Sequence, residues 1–153
     1  MSELYKAFYE SEIGVVEIEG SEDGITYVEF TGVKEHDDVP GCLEEACKQI
    51  REYFEGKRKI FELKLAPKGT EFQRKVWGKL LEVPYGKTVT YTDIARAVDN
   101  PKGVRAVGSA NGSNPISIII PCHRIIGSNG SLTGYGGGLW RKKWLLEHEA
   151  RNS

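Results

Sequence analysis

The chain has 153 residues, of which 39% are apolar and 28% are charged, a balance typical of a folded globular protein that excludes intrinsic disorder. Even its run of three isoleucines, Ile118–Ile120, is far shorter than the roughly 20 apolar residues of a membrane-spanning helix, and the N-terminus lacks a secretory signal. We therefore expect a cytoplasmic protein without a membrane partner.

Charge is distributed unevenly along the chain. The net charge is −1, but residues 1–65 carry 8 Lys and Arg against 16 Asp and Glu, whereas residues 66–153 carry 13 against 6. A basic C-terminal half favours a polyanionic partner such as DNA or RNA, although uneven decoration of an ordinary surface would produce the same asymmetry.

The first third of the chain has the pattern of short strands. Leu4–Tyr9, Gly14–Glu19 and Ile25–Phe30 are rich in β-branched and aromatic residues and are separated by glycine-containing turns, which predicts a small antiparallel sheet. Apolar residues recur at three- and four-residue steps over Leu43–Phe54, which predicts a helix. We expect another short strand near Lys59–Leu63 to complete the sheet.

A break near Leu65–Gly69 divides the chain into an N-terminal α/β structural domain, residues 1–65, and a C-terminal domain, residues 66–153. Thr70 is the predicted N-cap of the first C-terminal helix. The apolar side chains expected on one face of that helix are Phe72, Val76, Trp77, Leu80 and Leu81.

Two short helices are predicted next, Tyr91–Val98 and Lys102–Ala110, joined by the turn Asp99–Pro101. This is a helix-turn-helix pattern, which alone does not establish DNA binding because many helical hairpins bind nothing. A final amphipathic helix is predicted over residues 139–149.

Cys122 has the most unusual surroundings of the three cysteines, because it follows an apolar run and begins the sequence Cys-His-Arg. A thiol reacts as the thiolate, so a nucleophilic cysteine needs a neighbouring base or positive charge, and His123 and Arg124 are suitable residue types. Cys42 and Cys47 are interpreted as small, half-buried side chains without a disulfide framework.

Several interpretations of Cys122 remain open from the residues alone. Adjacent residues of an extended backbone point to opposite faces, so His123 reaches the sulfur only through a water molecule or where a helix begins. Glu147 and Glu149 are both candidates to hold the tautomer of His123. A buried structural cysteine is the simpler alternative, and a metal site is disfavoured because the chain has no Cys-x-x-Cys or His-x-x-x-His spacing.

A known family shares this sequence pattern. The segment Asn114–Gly127, with Pro-Cys-His-Arg at its centre, closely resembles the active-site signature of the O6-alkylguanine-DNA alkyltransferases, also called methylated-DNA–protein-cysteine methyltransferases. The resemblance covers residues 67–149, looks most like the short bacterial and archaeal members, and extends to the N-terminal half only in general shape. Further matching segments are Val83–Gly86, Tyr91, Arg105–Gly108, Gly134–Leu139 and Trp144–Glu149.

The resemblance implies an α+β fold, in which a small antiparallel sheet with a helix (ribonuclease-H-like) precedes a mostly helical domain with a helix-turn-helix. It implies DNA repair by direct damage reversal, in which Cys122 accepts the alkyl group of O6-alkylguanine, or of O4-alkylthymine, in double-stranded DNA. The thioether is stable, so the methyltransferase acts once, without a cofactor. We expect a monomer without an obligate protein partner, and neither a non-enzymatic damage sensor, since the cysteine is present, nor a transcriptional regulator.

The family's catalytic network maps to Cys122, His123 and Glu149, which selects Glu149 over Glu147. The tyrosine that supports the leaving base at its ring nitrogen maps to Tyr91, and an assisting lysine maps to Lys142. The residues that the resemblance places around the alkylated base are Tyr135, Gly136, Gly137, Asn114 and Ile125.

An alkylated base must rotate out of the duplex to react, and the family's arginine that fills the gap maps to Arg105. Small neighbours would let this helix enter the minor groove, roughly 6 Å wide, although close helix packing favours the same residues. The zinc site of larger relatives needs N-terminal ligands, and because only His36 and Cys42 are present we expect no metal. The other residues implied to contact DNA are Ala106, Gly108, Ser109, Tyr91 and Thr92.

Overall fold

The computed structural model describes residues 3–153 and has the predicted α+β architecture. The chain forms two compact units, one ending at Lys68 and the other beginning at Gly69. The first unit contains a three-stranded sheet and a long helix, and the second is mostly helical. None of the helices in this described range is long and apolar enough to cross a membrane.

The first unit begins with the predicted antiparallel sheet, formed in chain order by β1 (Tyr5–Ser11), β2 (Gly14–Ser21) and β3 (Gly24–Thr31). Ala7 of β1 lies opposite Ile18 of β2, which in turn lies opposite Val28 of β3. These three side chains are completely buried, because paired positions point to the same face of a sheet.

Helix α1 (Glu44–Phe54) follows a 3-10 turn over Gly41–Leu43 and packs against β1. Its buried side chains Ala46, Ile50 and Tyr53 recur at helical spacing, as the apolar pattern predicts. The helix therefore provides the second layer of the core of this unit.

The strand expected near Lys59–Leu63 does not form, and this prediction is wrong. The chain meets β3 only at Leu65, which forms a single parallel bridge with Ile25. Instead, the side chain of Gln49 on α1 hydrogen-bonds to the backbone of Glu62. It donates to the carbonyl oxygen at 3.2 Å and accepts from the N–H at 2.9 Å. A helix side chain thus replaces the strand partner that this segment would need.

The second unit contains four α-helices, a 3-10 helix and a two-stranded parallel pair among its described residues. Two of the helices, separated by a short turn, form the predicted helix-turn-helix. The elements are α2 (Glu71–Leu80), β4 (Val89–Thr90), α3 (Tyr91–Ala97), α4 (Val104–Gly112), β5 (Ile125–Ile126) and α5 (Leu139–Asn152).

Helix α2 begins at the predicted N-cap, Thr70, whose hydroxyl accepts from the N–H of Gln73 at 3.1 Å while the Gln73 side chain accepts from the N–H of Thr70 at 2.8 Å. Trp77 is buried and its indole N–H donates to the carbonyl oxygen of Ala110 on α4 at 2.8 Å. Leu81, expected on the apolar face, is 49% exposed because the helix ends one residue before it.

Helix α4 begins at Val104, two residues later than predicted, because the chain is still turning at Gly103, whose N–H donates to the carbonyl oxygen of Asn100 at 2.8 Å. Asp99 adopts the left-handed conformation, with φ of 58°, which ends α3. Helix α5 continues three residues beyond the predicted end at 149, to Asn152.

Replacing Thr70 with alanine should lower the free energy of unfolding by about 1 kcal/mol, because one N–H of the first turn of α2 loses its acceptor. Thr88→Ala is the matched control, since Thr88 is exposed and caps no helix. Urea unfolding of both variants measures the difference, and equal losses would contradict a capping role for Thr70.

Candidate active site

The segment that precedes Cys122 is a chain of tight turns rather than a strand. The N–H of Ile119 donates to the carbonyl oxygen of Ser117 at 2.8 Å, and the N–H of Cys122 donates to that of Ile120 at 2.7 Å. Within the first of these turns Ile118 is completely buried and has a φ of 73°, a conformation that costs a β-branched residue about 1–3 kcal/mol. Packing around the apolar run must supply this free energy.

Asn114 holds this segment by its backbone. Its side-chain oxygen accepts from the N–H of Ile116 at 3.0 Å, and its amide nitrogen donates to the carbonyl oxygen of Ile120 at 2.9 Å. The side chain is buried, so both hydrogen bonds are shielded from water. Asn114 therefore clamps the turn that leads to Cys122.

Cys122 begins a 3-10 helix, Cys122–Arg124, so the backbone turns at the sulfur-bearing residue. All three side chains are buried. This turn is one of the two arrangements by which His123 was expected to approach the sulfur.

Glu149, on α5, lies at the centre of a buried polar cluster. His123 Nε2 is 2.6 Å from Oε2 of Glu149, and Arg124 donates to both carboxylate oxygens, from Nε at 2.8 Å and from Nη2 at 3.0 Å. The N–H of Gly86 donates to Oε1 at 3.2 Å. Glu147, the alternative from sequence, is exposed.

Arg124 has a partner that the sequence reasoning missed. We expected it to add positive potential near the sulfur, whereas it forms a bidentate ion pair with Glu149 and donates from Nη1 to the carbonyl oxygen of Val83 at 2.7 Å. The sequence offered one signal for this pair: Glu149 falls on the apolar face of the predicted final helix, and a carboxylate buried there requires a countercharge.

Burial and the charges in this cluster determine the protonation state of His123. Burial alone would raise the pKa of Glu149, but hydrogen bonds from His123 and Arg124, and the positive charges that both groups carry at low pH, outweigh it and hold that pKa well below its usual range. Burial lowers the pKa of His123, and the contact with Glu149 only partly offsets this effect. With Arg124 neutralising Glu149, we assign a neutral His123 at pH 7.

A neutral His123 beside an ionised carboxylate carries its proton on Nε2, which donates to Glu149. Nδ1 is then the basic nitrogen. It is buried and has no hydrogen-bond partner within residues 3–153. The cluster therefore presents an oriented proton acceptor next to Cys122 in the chain.

Lys142 and Tyr91 both contact Thr133, a residue that the sequence did not identify as part of the site. The ammonium of Lys142 donates to the carbonyl oxygen of Thr133 at 2.8 Å, and the hydroxyl of Tyr91 lies 2.7 Å from Thr133 Oγ1. Burial lowers the pKa of Lys142 to about 8, although attraction to an ionised Cys122 opposes this shift. Lys142 thus lies within electrostatic range of Cys122.

Apart from Asn114, the predicted base-binding residues lie in two places. Tyr135, Gly136 and Gly137 lie in the loop before α5, where the carbonyl oxygen of Gly137 accepts from Nη1 of Arg141 at 2.9 Å. Ile125 is completely buried in β5 and pairs with Val89 of β4.

The predicted DNA-contacting residues of α4 share a surface. Arg105, Ala106 and Ser109 are exposed, whereas Gly108 faces the ring of Tyr91, where an added Cβ would lie 3.8 Å from the ring. Thr92 follows Tyr91 in α3 and is half-buried. The helix therefore presents one arginine among small side chains.

The other two cysteines are both half-buried. Burial raises the pKa of Cys47 to about 11, so this residue is a thiol at neutral pH and a poor nucleophile. In the part of the chain that the structure describes, no group of three His, Cys, Asp or Glu side chains is placed to hold a metal ion.

Comparisons with known proteins match both units. The ribonuclease-like domain of 6-O-methylguanine DNA methyltransferase matches residues 4–67, and its DNA binding domain matches residues 71–151. The methylated-DNA--protein-cysteine methyltransferase of Methanosarcina acetivorans is 50% identical over 95% of this chain and 98% of its own. The constitutive enzyme of that name from Bacillus subtilis is 52% identical over 82% of this chain and 75% of its own.

Solved structures also match this chain. The crystal structure of Mycobacterium tuberculosis O6-methylguanine methyltransferase has a TM-score of 0.89 at 39% identity, covering 99% of this chain and 95% of that one. A structure of the M. tuberculosis protein in complex with DNA has a TM-score of 0.88 at 42% identity, covering 97% and 94%. The chain belongs to the 6-O-methylguanine DNA methyltransferase family.

Proposed function

We propose that this protein repairs DNA by direct damage reversal, moving the alkyl group of O6-alkylguanine, and by the same chemistry of O4-alkylthymine, onto the sulfur of Cys122. The observation that carries the proposal is the buried contact of 2.6 Å between His123 and Glu149, which leaves a basic nitrogen for the neighbouring thiol. The names of the relatives, methylated-DNA--protein-cysteine methyltransferase, describe the same reaction.

The proposed transfer is a single displacement. Cys122 gives its thiol proton to His123 Nδ1 through a bridging water, as the family resemblance implies. An electron pair of the thiolate sulfur then forms the S–C bond, while the C–O6 bond breaks and its electrons pass to guanine. Guanine takes a proton at a ring nitrogen from Tyr91 and leaves neutral. Because the S–C bond of the thioether is stable, each molecule reacts once.

Lys142 and the burial of Cys122 favour this chemistry. A cation close to the sulfur stabilises the thiolate, and a buried site strengthens this attraction by excluding water. Lys142 is completely buried, so its charge is poorly screened. Its attraction for a thiolate at Cys122 is therefore stronger than that of an exposed lysine.

The proposed DNA-binding surface is α4, with Arg105 replacing the rotated base in the stack. The side chain of Arg105 is exposed, and the small neighbours Ala106 and Ser109 permit approach to a narrow groove. The excess of Lys and Arg over residues 66–153 supports phosphate binding by this unit, which we propose as the DNA-binding and alkyl-acceptor domain. We propose that it acts as a monomer in the cytoplasm.

Incubating the protein with duplex DNA that contains O6-methylguanine should add the mass of one methyl group to the Cys122 peptide and to no other. Cys47 should stay unmodified because burial keeps it protonated. Peptide mass spectrometry measures the adduct, with Cys122→Ser as the control. Methylation of Cys42 or Cys47, or repeated turnover, would contradict the proposal.

Arg105→Ala should slow repair of duplex DNA at least tenfold but leave the reaction with free O6-benzylguanine nearly unchanged, because only the duplex substrate requires base rotation. Lys102→Ala is the matched control, because it also removes one positive charge, from the exposed turn before α4. Single-turnover rates on both substrates provide the test, and equal losses on both would remove Arg105 from the flipping role.

Lys142→Met should raise the free energy of unfolding at pH 7 by about 2 kcal/mol relative to the native protein, because a buried cation is removed. The folded pKa of about 8 lies below the unfolded value, so the native chain gains stability as pH rises through this interval. Urea unfolding at pH 7 and pH 10 should therefore show the difference shrinking at pH 10. A pH-independent difference would contradict a buried charge.

A further inference from the structure

Thr133, in the loop between β5 and α5, contacts two proposed catalytic side chains through different atoms. Its hydroxyl oxygen is 2.7 Å from the hydroxyl of Tyr91, and its backbone carbonyl oxygen accepts from the ammonium of Lys142 at 2.8 Å. Tyr91 begins α3 and Lys142 lies on α5, so one loop residue joins side chains from two helices.

The contact between the two hydroxyls has two possible directions. If Tyr91 donates to Thr133, its only hydroxyl proton is engaged and cannot reach a base. If Thr133 donates to Tyr91, the phenol proton is directed elsewhere and the phenol oxygen is stabilised as negative charge develops on it. Each hydroxyl hydrogen can turn about its C–O bond, so a bound base that accepts from Tyr91 selects the second direction.

We propose that Thr133 is a positioning residue that donates to the hydroxyl of Tyr91 and thereby points the phenol proton at the leaving guanine. This inference rests on the proposed function. As the C–O6 bond breaks, the proton passes from Tyr91 to guanine, Thr133 keeps its own proton, and the phenolate accepts a stronger hydrogen bond from Thr133 until solvent restores its proton.

The two contacts of Thr133 separate cleanly in an experiment. Thr133→Val removes the hydroxyl at nearly constant volume but keeps the carbonyl oxygen that holds Lys142, whereas Thr133→Ser keeps both. Ser131→Ala is a matched control, because Ser131 is an exposed hydroxyl residue in the same loop.

Thr133→Val should lower the single-turnover rate of methyl transfer from duplex O6-methylguanine about tenfold at saturating DNA, the effect of one hydrogen bond to a developing charge. Thr133→Ser should retain the native rate within about twofold, and Ser131→Ala should match the native protein. DNA affinity, measured by fluorescence anisotropy, should stay unchanged in all three, because the effect lies in the chemical step.

A double-mutant cycle with Tyr91→Phe distinguishes positioning from loop packing. In the Tyr91→Phe background the valine substitution should have no further effect, since no phenol remains to orient. If Thr133→Val does not fold, Thr133→Ala takes its place in the same cycle. A native rate for both hydroxyl-lacking variants, or an equal loss in both backgrounds, would overturn the inference. Failure of the native protein to accept a methyl group would instead refute the proposed function.

Discussion

The buried carboxylate of Glu149 is the constraint on which the second unit depends. An ionised group out of water is unstable unless it is paired, and here Arg124 supplies a bidentate countercharge while His123 and the N–H of Gly86 complete the shell. These contacts tie α5 to the Cys122–Arg124 turn and to the loop at Gly86. Because burial lowers the pKa of His123 more than its contact with Glu149 raises it, His123 stays neutral, and the ion pair that holds the fold also orients the base of the proposed reaction.

The segment before Cys122 likewise contains an unfavourable feature, a strained backbone conformation, that its surroundings stabilise. Ile118 occupies a left-handed conformation that an isoleucine adopts only when its surroundings enforce it. Burial of the apolar run and the two hydrogen bonds from Asn114 supply that enforcement. A rigid backbone here keeps the sulfur of Cys122 fixed, which favours a displacement reaction that depends on alignment.

In the proposed function, proton handling and DNA contact are divided between different parts of the second unit. His123 and Glu149 lie in the interior, whereas Arg105 and its small neighbours face solvent on α4. The ring of Tyr91 faces Gly108 of α4, and its hydroxyl contacts Thr133 of the loop before α5. In the proposed function this phenol protonates the guanine that Cys122 dealkylates.

Periodicity and capping chemistry in the sequence determined the three strands, the helices and the start of α2 at Thr70, because these depend on neighbours within a few residues. The family signature also singled out Cys122, His123 and Glu149, which the structure brings into one buried region. Tertiary structure alone decided that Glu62 pairs with Gln49 rather than with a strand, that Arg124 binds Glu149, and that Thr133 joins Tyr91 to Lys142. These contacts link residues distant in the chain, and no local pattern specifies which buried polar groups will meet.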